Sequence, residues 1–242
     1  MSWPLTGRES ELDAFTKAWA DPCCQAVVIY GPAGVGKSRL AEECLARTSG
    51  ESCNGGRATA TAAAAAVPLG AIAHLIPAGV DLQDPVKGFA AEAAVPPQNR
   101  RGRVLWVDDL HLLDAASAVL LRQLMDAGLI RLIGTVRTGA PITDAVEALT
   151  HGDAVHRLNL SVFSAKQAEV VLQAALNGPL GQRTLYELHR ASGGNALFLR
   201  ELVLGAMQAG KTLLPIRRGY AARVSSRRAR WLVRVRSSGL PC

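Results

Sequence analysis

Aromatic side chains are scarce in this chain. Four Trp, four Phe and three Tyr make up 5% of 242 residues, so the core must be built mainly from aliphatic side chains and alanine. Cysteine is also rare, and its spacing matters more than its number. Cys23 and Cys24 are adjacent, Cys44 and Cys53 fall outside any metal-ligand spacing, and Cys242 is the last residue, which excludes a secreted disulfide framework and a zinc site. Long apolar runs are missing as well. The uncharged stretch from Ala58 to Val80 is mostly Ala and Thr, holds His74 and is interrupted by Pro68 and Pro77, so it does not read as a membrane span. The amino terminus carries Arg8, Glu9 and Glu11 where a signal peptide would be apolar, and a cytoplasmic protein without membrane contact is expected. Hydrophobic residues still make up 49% and the mean hydropathy is +0.14, which excludes a largely disordered chain. The length suits one large domain, or one domain with a smaller appendage.

Acids are absent from one region only. Residues 211–242 contain nine Lys or Arg and no Asp or Glu, whereas residues 1–210 hold 18 basic and 20 acidic residues. The formal net charge of +7 therefore belongs to the carboxyl-terminal stretch, and the body of the chain is not basic.

Apolar periodicity organises the body. A helix is expected from about Arg8 to Ala20, with Leu12, Phe15, Ala18 and Trp19 on one face. Gln25 to Tyr30 is a short β-branched run ending at Gly31, the pattern of a strand buried on both faces, and Lys37 to Thr48 follows as a helix. Further strands are expected at Arg57–Thr61, Arg103–Val107, Leu129–Val136 and Val155–Leu160, with a helix at Ala115–Ala127. Alternating strands and helices imply an α/β fold with a parallel five-stranded sheet flanked by helices. Beyond Ser164 the pattern is helical only, at Ser164–Leu176, Gln182–Ala191 and Ala196–Ala209. Residues 1–162 are thus expected to form the core and 163–210 a small helical lid subdomain. Residues 77–102 read as a surface connection, and 211–242 as a basic tail, disordered or aberrant.

The chemistry is concentrated at strand ends. Gly31, Pro32, Ala33, Gly34, Val35, Gly36, Lys37 and Ser38 match G-x-x-x-x-G-K-[ST] directly after a strand and at the start of a helix, the context required of a phosphate-binding loop. The glycines let successive backbone N–H groups face phosphates, Lys37 would reach the β and γ phosphates, and Ser38 would coordinate Mg²⁺. Arg39 follows within the same expected nucleotide site. Asp108 ends the strand VLWVD about seventy residues later and would hold Mg²⁺ through water. Asp109 stands where a vigorous ATPase usually has Glu; being one methylene shorter, it implies slow hydrolysis. Arg137 ends the strand LIGTV, where a guanidinium can contact a γ-phosphate and report its presence. Lys37, Asp109 and Arg137 are the candidate catalytic residues of this P-loop NTPase pattern, with ATP and Mg²⁺ as the expected cofactors.

The series LTGRESEL, GPAGVGKS, PLGAIAHLIP, VLWVDDLHLLD, LIGTVRTG and SGGNALFLRELV resembles the nucleotide-binding region of large bacterial LuxR-type regulators, MalT-like STAND-class relatives of the AAA+ ATPases. The resemblance covers about residues 3 to 210 in order. It implies an ATP-dependent switch in transcription regulation, with ATP or ADP as partner and self-association possible. By position, Gly7, Arg8 and Glu9 match a GRE motif that lies near the adenine, and His111 matches the DDxH pattern. The lid motif of the family usually reads GNP, whereas this chain has Gly194, Asn195 and Ala196, which removes a fixed φ at the helix start. The family continues into a helical sensor region and a helix-turn-helix. No helix-turn-helix is recognisable here, so a truncated or frame-changed chain is expected, and DNA contact would come only through a missing carboxyl-terminal region or weakly through the basic tail. Two other readings stay open: an AAA+-like ATPase that remodels nucleic acid or protein, and a non-functional remnant.

Overall fold

The computed structural model describes residues 3, 5–48, 56–76, 86–88 and 103–208. Most of the 77–102 connection and all of the basic 211–242 stretch lie outside the described residues. The expected alternation is present: α1 (Glu9–Ala20), β1 (Ala26–Gly31), α2 (Lys37–Thr48), β2 (Gly56–Thr59), β3 (Arg103–Asp108), α3 (Ala115–Asp126), β4 (Ile130–Arg137), α4 (Asp144–Thr150), β5 (Val155–Asn159), α5 (Ala165–Leu176), α6 (Gln182–Ser192) and α7 (Ala196–Gln208). The strands form one parallel sheet in the order β2-β3-β4-β1-β5.

Strand alternation assigns the two faces. Val27 and Ile29 of β1, Val104 and Trp106 of β3 and Ile133 of β4 pack with Phe15 and Leu40 under α1 and α2. Their neighbours Val28, Leu105, Val107 and Leu132 pack on the other face with Leu121 and Leu124 of α3 and Leu149 of α4. A third cluster, around Phe163, Leu172, Leu188 and Leu199, joins α5, α6 and α7. No described helix is long and apolar enough to cross a membrane.

Several expected boundaries needed correction. β2 is Gly56–Thr59 instead of Arg57–Thr61, because the ladder closes with the Ala60 N–H donating to the carbonyl of Asp108, the last residue of β3, and no strand lies beyond it to pair with. β3 and β4 each reach one residue further, to Asp108 and Arg137. The helix α4 was not expected. Its seven residues are too few for a period to show, and Thr143 caps it by accepting a hydrogen bond from the Val146 N–H.

The helix α3 starts at a charged cap. Asp114 accepts hydrogen bonds from Ser117 N at 2.9 Å and Leu69 N at 3.1 Å, and from the Ser117 hydroxyl. Burial alone would raise its carboxyl pKa, but these bonds outweigh burial and bring it below its ordinary value. A lowered native pKa contributes stability that is present above the unfolded pKa and lost as pH falls through the folded one. Asp114→Ala should therefore cost about 1 kcal/mol near neutral pH. Its melting temperature should converge on that of the parent in acid; an acid-independent difference would rule out the carboxylate as the cause.

Candidate functional site

The carboxyl ends of β1, β3 and β4 converge at one edge of the sheet, and the glycine loop joins β1 to α2 there. Gly34 and Gly36 have φ of +72° and +103°, which side-chain-bearing residues rarely adopt. Gly31 is held for a different reason: a Cβ there would lie 2.6 Å from the Leu160 carbonyl oxygen. Val35, 1% exposed, pins the middle of the loop into the core beneath α1. Lys37 opens α2 and is also buried, and its Nζ donates to the Gly31 and Pro32 carbonyls at 3.1 and 3.0 Å. Burial draws its ammonium below the ordinary pKa; Asp109 and Asp108 oppose the shift and Arg137 adds to it.

The two acids meet the loop through hydroxyls. Ser38 Oγ donates to Asp108 Oδ1 at 3.0 Å, and Thr135 Oγ1, fully buried on β4, donates to the same oxygen. Thr135 Oγ1 in turn accepts the Asp109 N–H at 2.9 Å. Asp109 is left-handed, with φ 56° and ψ 48°, an uncommon backbone for a non-glycine residue. Its carboxylate is exposed and lies 3.9 Å from His111 Nδ1, the atom that also accepts the Arg137 N–H at 3.5 Å. Burial, followed by opposing pulls from Asp109 and Lys37, leaves the His111 pKa lowered. The Arg137 guanidinium is exposed at the same mouth.

Two further segments close on the loop. Arg8, 3% exposed, donates to the Val35 carbonyl at 3.3 Å, to the Ser161 carbonyl at 2.8 Å and to Glu11 Oε1 at 2.9 Å, and stacks 4.2 Å from the Phe163 ring centroid. From the other side, Asn195 Nδ2 donates to the Ala33 carbonyl at 2.8 Å and Leu197 N to the Gly34 carbonyl at 2.9 Å. Asn195 Oδ1 meanwhile accepts from Leu197 N and Phe198 N, so α7 is capped and begins at Ala196 without the proline of the GNP pattern.

An AAA ATPase domain model matches residues 4–133, more than half of the chain. The chain belongs to the AAA ATPase domain family. Among solved structures, this AAA domain is similar to the Aeropyrum pernix ORC1 protein in complex with DNA, with a TM-score of 0.60 at 16% identity over 87% of this chain and 62% of that one. It is also similar to S. cerevisiae Hsp104 in an ADP complex (0.55, 16%, covering 85% and 31%) and to domain III of the Thermotoga maritima replication initiation protein DnaA (0.55, 14%, covering 87% and 88%). The AAA domain thus spans under a third of that Hsp104 chain and under two thirds of that ORC1 chain, and identities this low carry the fold alone. No curated protein matches the chain in sequence.

Within the AAA domain, the structure brings Gly31 to Ser38, Asp108, Asp109 and Arg137 to one edge. Arg39 is exposed on α2 and paired with Glu42 at 2.7 Å. Gly7, with φ +74°, accepts at its carbonyl from Gln167 of α5 at 3.0 Å. Arg8 is spent on the loop, Ser161 and Phe163. Two residues of the site were not expected from sequence. Asn195 stands out in the sequence only through the proline missing after it, and Thr135 carries no motif signal of its own, although alternation on β4 puts it in the row of Arg131 and Ile133, the row that faces α2.

Proposed function

We propose that this AAA domain is an ATP-binding, slowly hydrolysing switch module of a LuxR-type transcriptional regulator. The observation that carries the nucleotide reading is the Ser38–Asp108 hydrogen bond, which joins the hydroxyl of the phosphate loop to the acidic end of β3. The donor set fits the cofactors. A hydroxyl and a carboxylate are the hard oxygen ligands that Mg²⁺ takes, and the glycine backbone at 34 and 36 gives phosphates access to N–H groups. When bound, Mg²⁺ neutralises charge on the β and γ phosphates. Lys37 and Arg137 would supply positive charge, Ser38 and Asp108 would hold the metal, and Asp109 at the mouth would orient water. The regulator reading rests on the motif series from the GRE turn to the SGGNA turn. In it, residues 1–162 act as the core and 163–210 as a lid, held to the phosphate loop by Asn195.

Calorimetry of the 242-residue chain with ATP and ADP in Mg²⁺, with turnover followed in the same samples, tests this. Tight binding with turnover well below about 1 per second, the low end of ordinary kcat values, is expected. Faster turnover would favour a remodelling ATPase, and no binding by folded protein would refute the nucleotide reading.

A further inference from the structure

We propose that Thr135 is the positioning residue for both acids of the site, an inference that rests on the Mg–nucleotide reading above. Its hydroxyl has one proton and accepts hydrogen bonds through its lone pairs. The proton goes to Asp108 Oδ1, and the Asp109 N–H is accepted at 2.9 Å. Both links are directional, so the metal-side carboxylate and the backbone that aims the water-side carboxylate are set by one fully buried oxygen. The neighbouring chain makes this restraint necessary. Asp109 is left-handed, and the backbone N–H of such a residue finds no partner in the β3 ladder. Immediately after it, Leu110, 0% exposed, packs flat on Gly134, where an added Cβ would lie 2.4 Å from Leu110 Cδ1. Gly134 and Thr135 therefore act as adjacent clamps, one seating the turn after the acids and the other holding the acids themselves. Because Ser38 donates to the same Asp108 oxygen at 3.0 Å, Thr135 also limits the rotation of the carboxylate that Ser38 shares.

The test compares the full chain with Thr135→Val, which keeps the shape and loses both bonds, and Thr135→Ser, which keeps the hydroxyl. The probe is fluorescently labelled ATP, bound first in chelator and then titrated with Mg²⁺. Outer-shell partners of metal ligands are typically worth about 10- to 100-fold in metal affinity. Thr135→Val is thus expected to raise the half-saturating Mg²⁺ concentration by about that factor, with metal-free ATP affinity unchanged and Ser restoring most of the loss. A merely structural hydroxyl would lower the melting temperature and leave the Mg²⁺ midpoint in place, which overturns the proposal. If the Val variant does not fold, Thr135→Cys, a weak donor, is read instead, and a Mg²⁺ midpoint equal to that of the parent overturns it equally. Failure of the parent chain to bind Mg–ATP would remove the underlying nucleotide reading, an outcome distinct from a parent that binds and a Val variant that matches it.

Discussion

Lys37→Ala is expected to weaken Mg–ATP binding or its turnover by about 10²- to 10³-fold, the usual cost of removing one preorganised donor from a site of developing charge. The side chain is 8% exposed and aimed along the loop it serves, donating to the Gly31 and Pro32 carbonyls. A charge held where water is largely excluded acts more strongly on phosphate than an exposed one. The same burial predicts an unusual stability result. Since the native pKa of Lys37 is lowered, its charged form costs the folded state free energy near neutral pH. Relief of that cost offsets the lost hydrogen bonds to the Gly31 and Pro32 carbonyls, an advantage that should keep the unliganded Ala variant close to the parent in melting temperature near neutral pH. That advantage should fade as pH rises from the lowered native value to the ordinary lysine value, because native and unfolded lysine are then both neutral. Calorimetry with ATP and melting curves across alkaline pH read the two effects separately. Undiminished ATP binding would show that the loop does not hold phosphates.

Arg8→Ala is expected to cost about 3 kcal/mol of stability, because hydrogen bonds from a charged donor contribute roughly 1.5–3 kcal/mol each and buried acceptors would be left unpaired. For a chain of this size that is about 6–12 °C in melting temperature. The guanidinium donates to Val35 of the glycine loop, Ser161 after β5 and Glu11 of α1, and stacks on Phe163 beside Ser161, so three segments lose a common tie. Arg8→Lys should recover little, since an ammonium cannot reproduce a planar fork and a stacked face. A role confined to the adenine, the position implied by the GRE motif, would instead leave the unliganded melting temperature unchanged and alter affinity for ATP relative to other nucleoside triphosphates. Thermal melts without nucleotide separate the two.

The sequence by itself determined the layers, the parallel sheet and the glycine loop between β1 and α2. These depend on near neighbours: β-branched runs alternate between two faces, and glycines stand where the backbone must turn with positive φ. It also put Asp108 and Arg137 at the ends of β3 and β4, because the polar residue that ends an apolar run is visible without knowing its neighbours. Only the tertiary structure decided what those residues meet. Thr135 reaches Asp108 across 27 residues, Arg8 reaches Ser161 across 153, and Asn195 reaches Ala33 across 162. Such contacts follow from strand order and from the docking of α5 to α7, neither of which leaves a local pattern. A buried arginine reads the same in sequence as a solvated one until the carbonyls it satisfies, and the ring it covers, are folded around it.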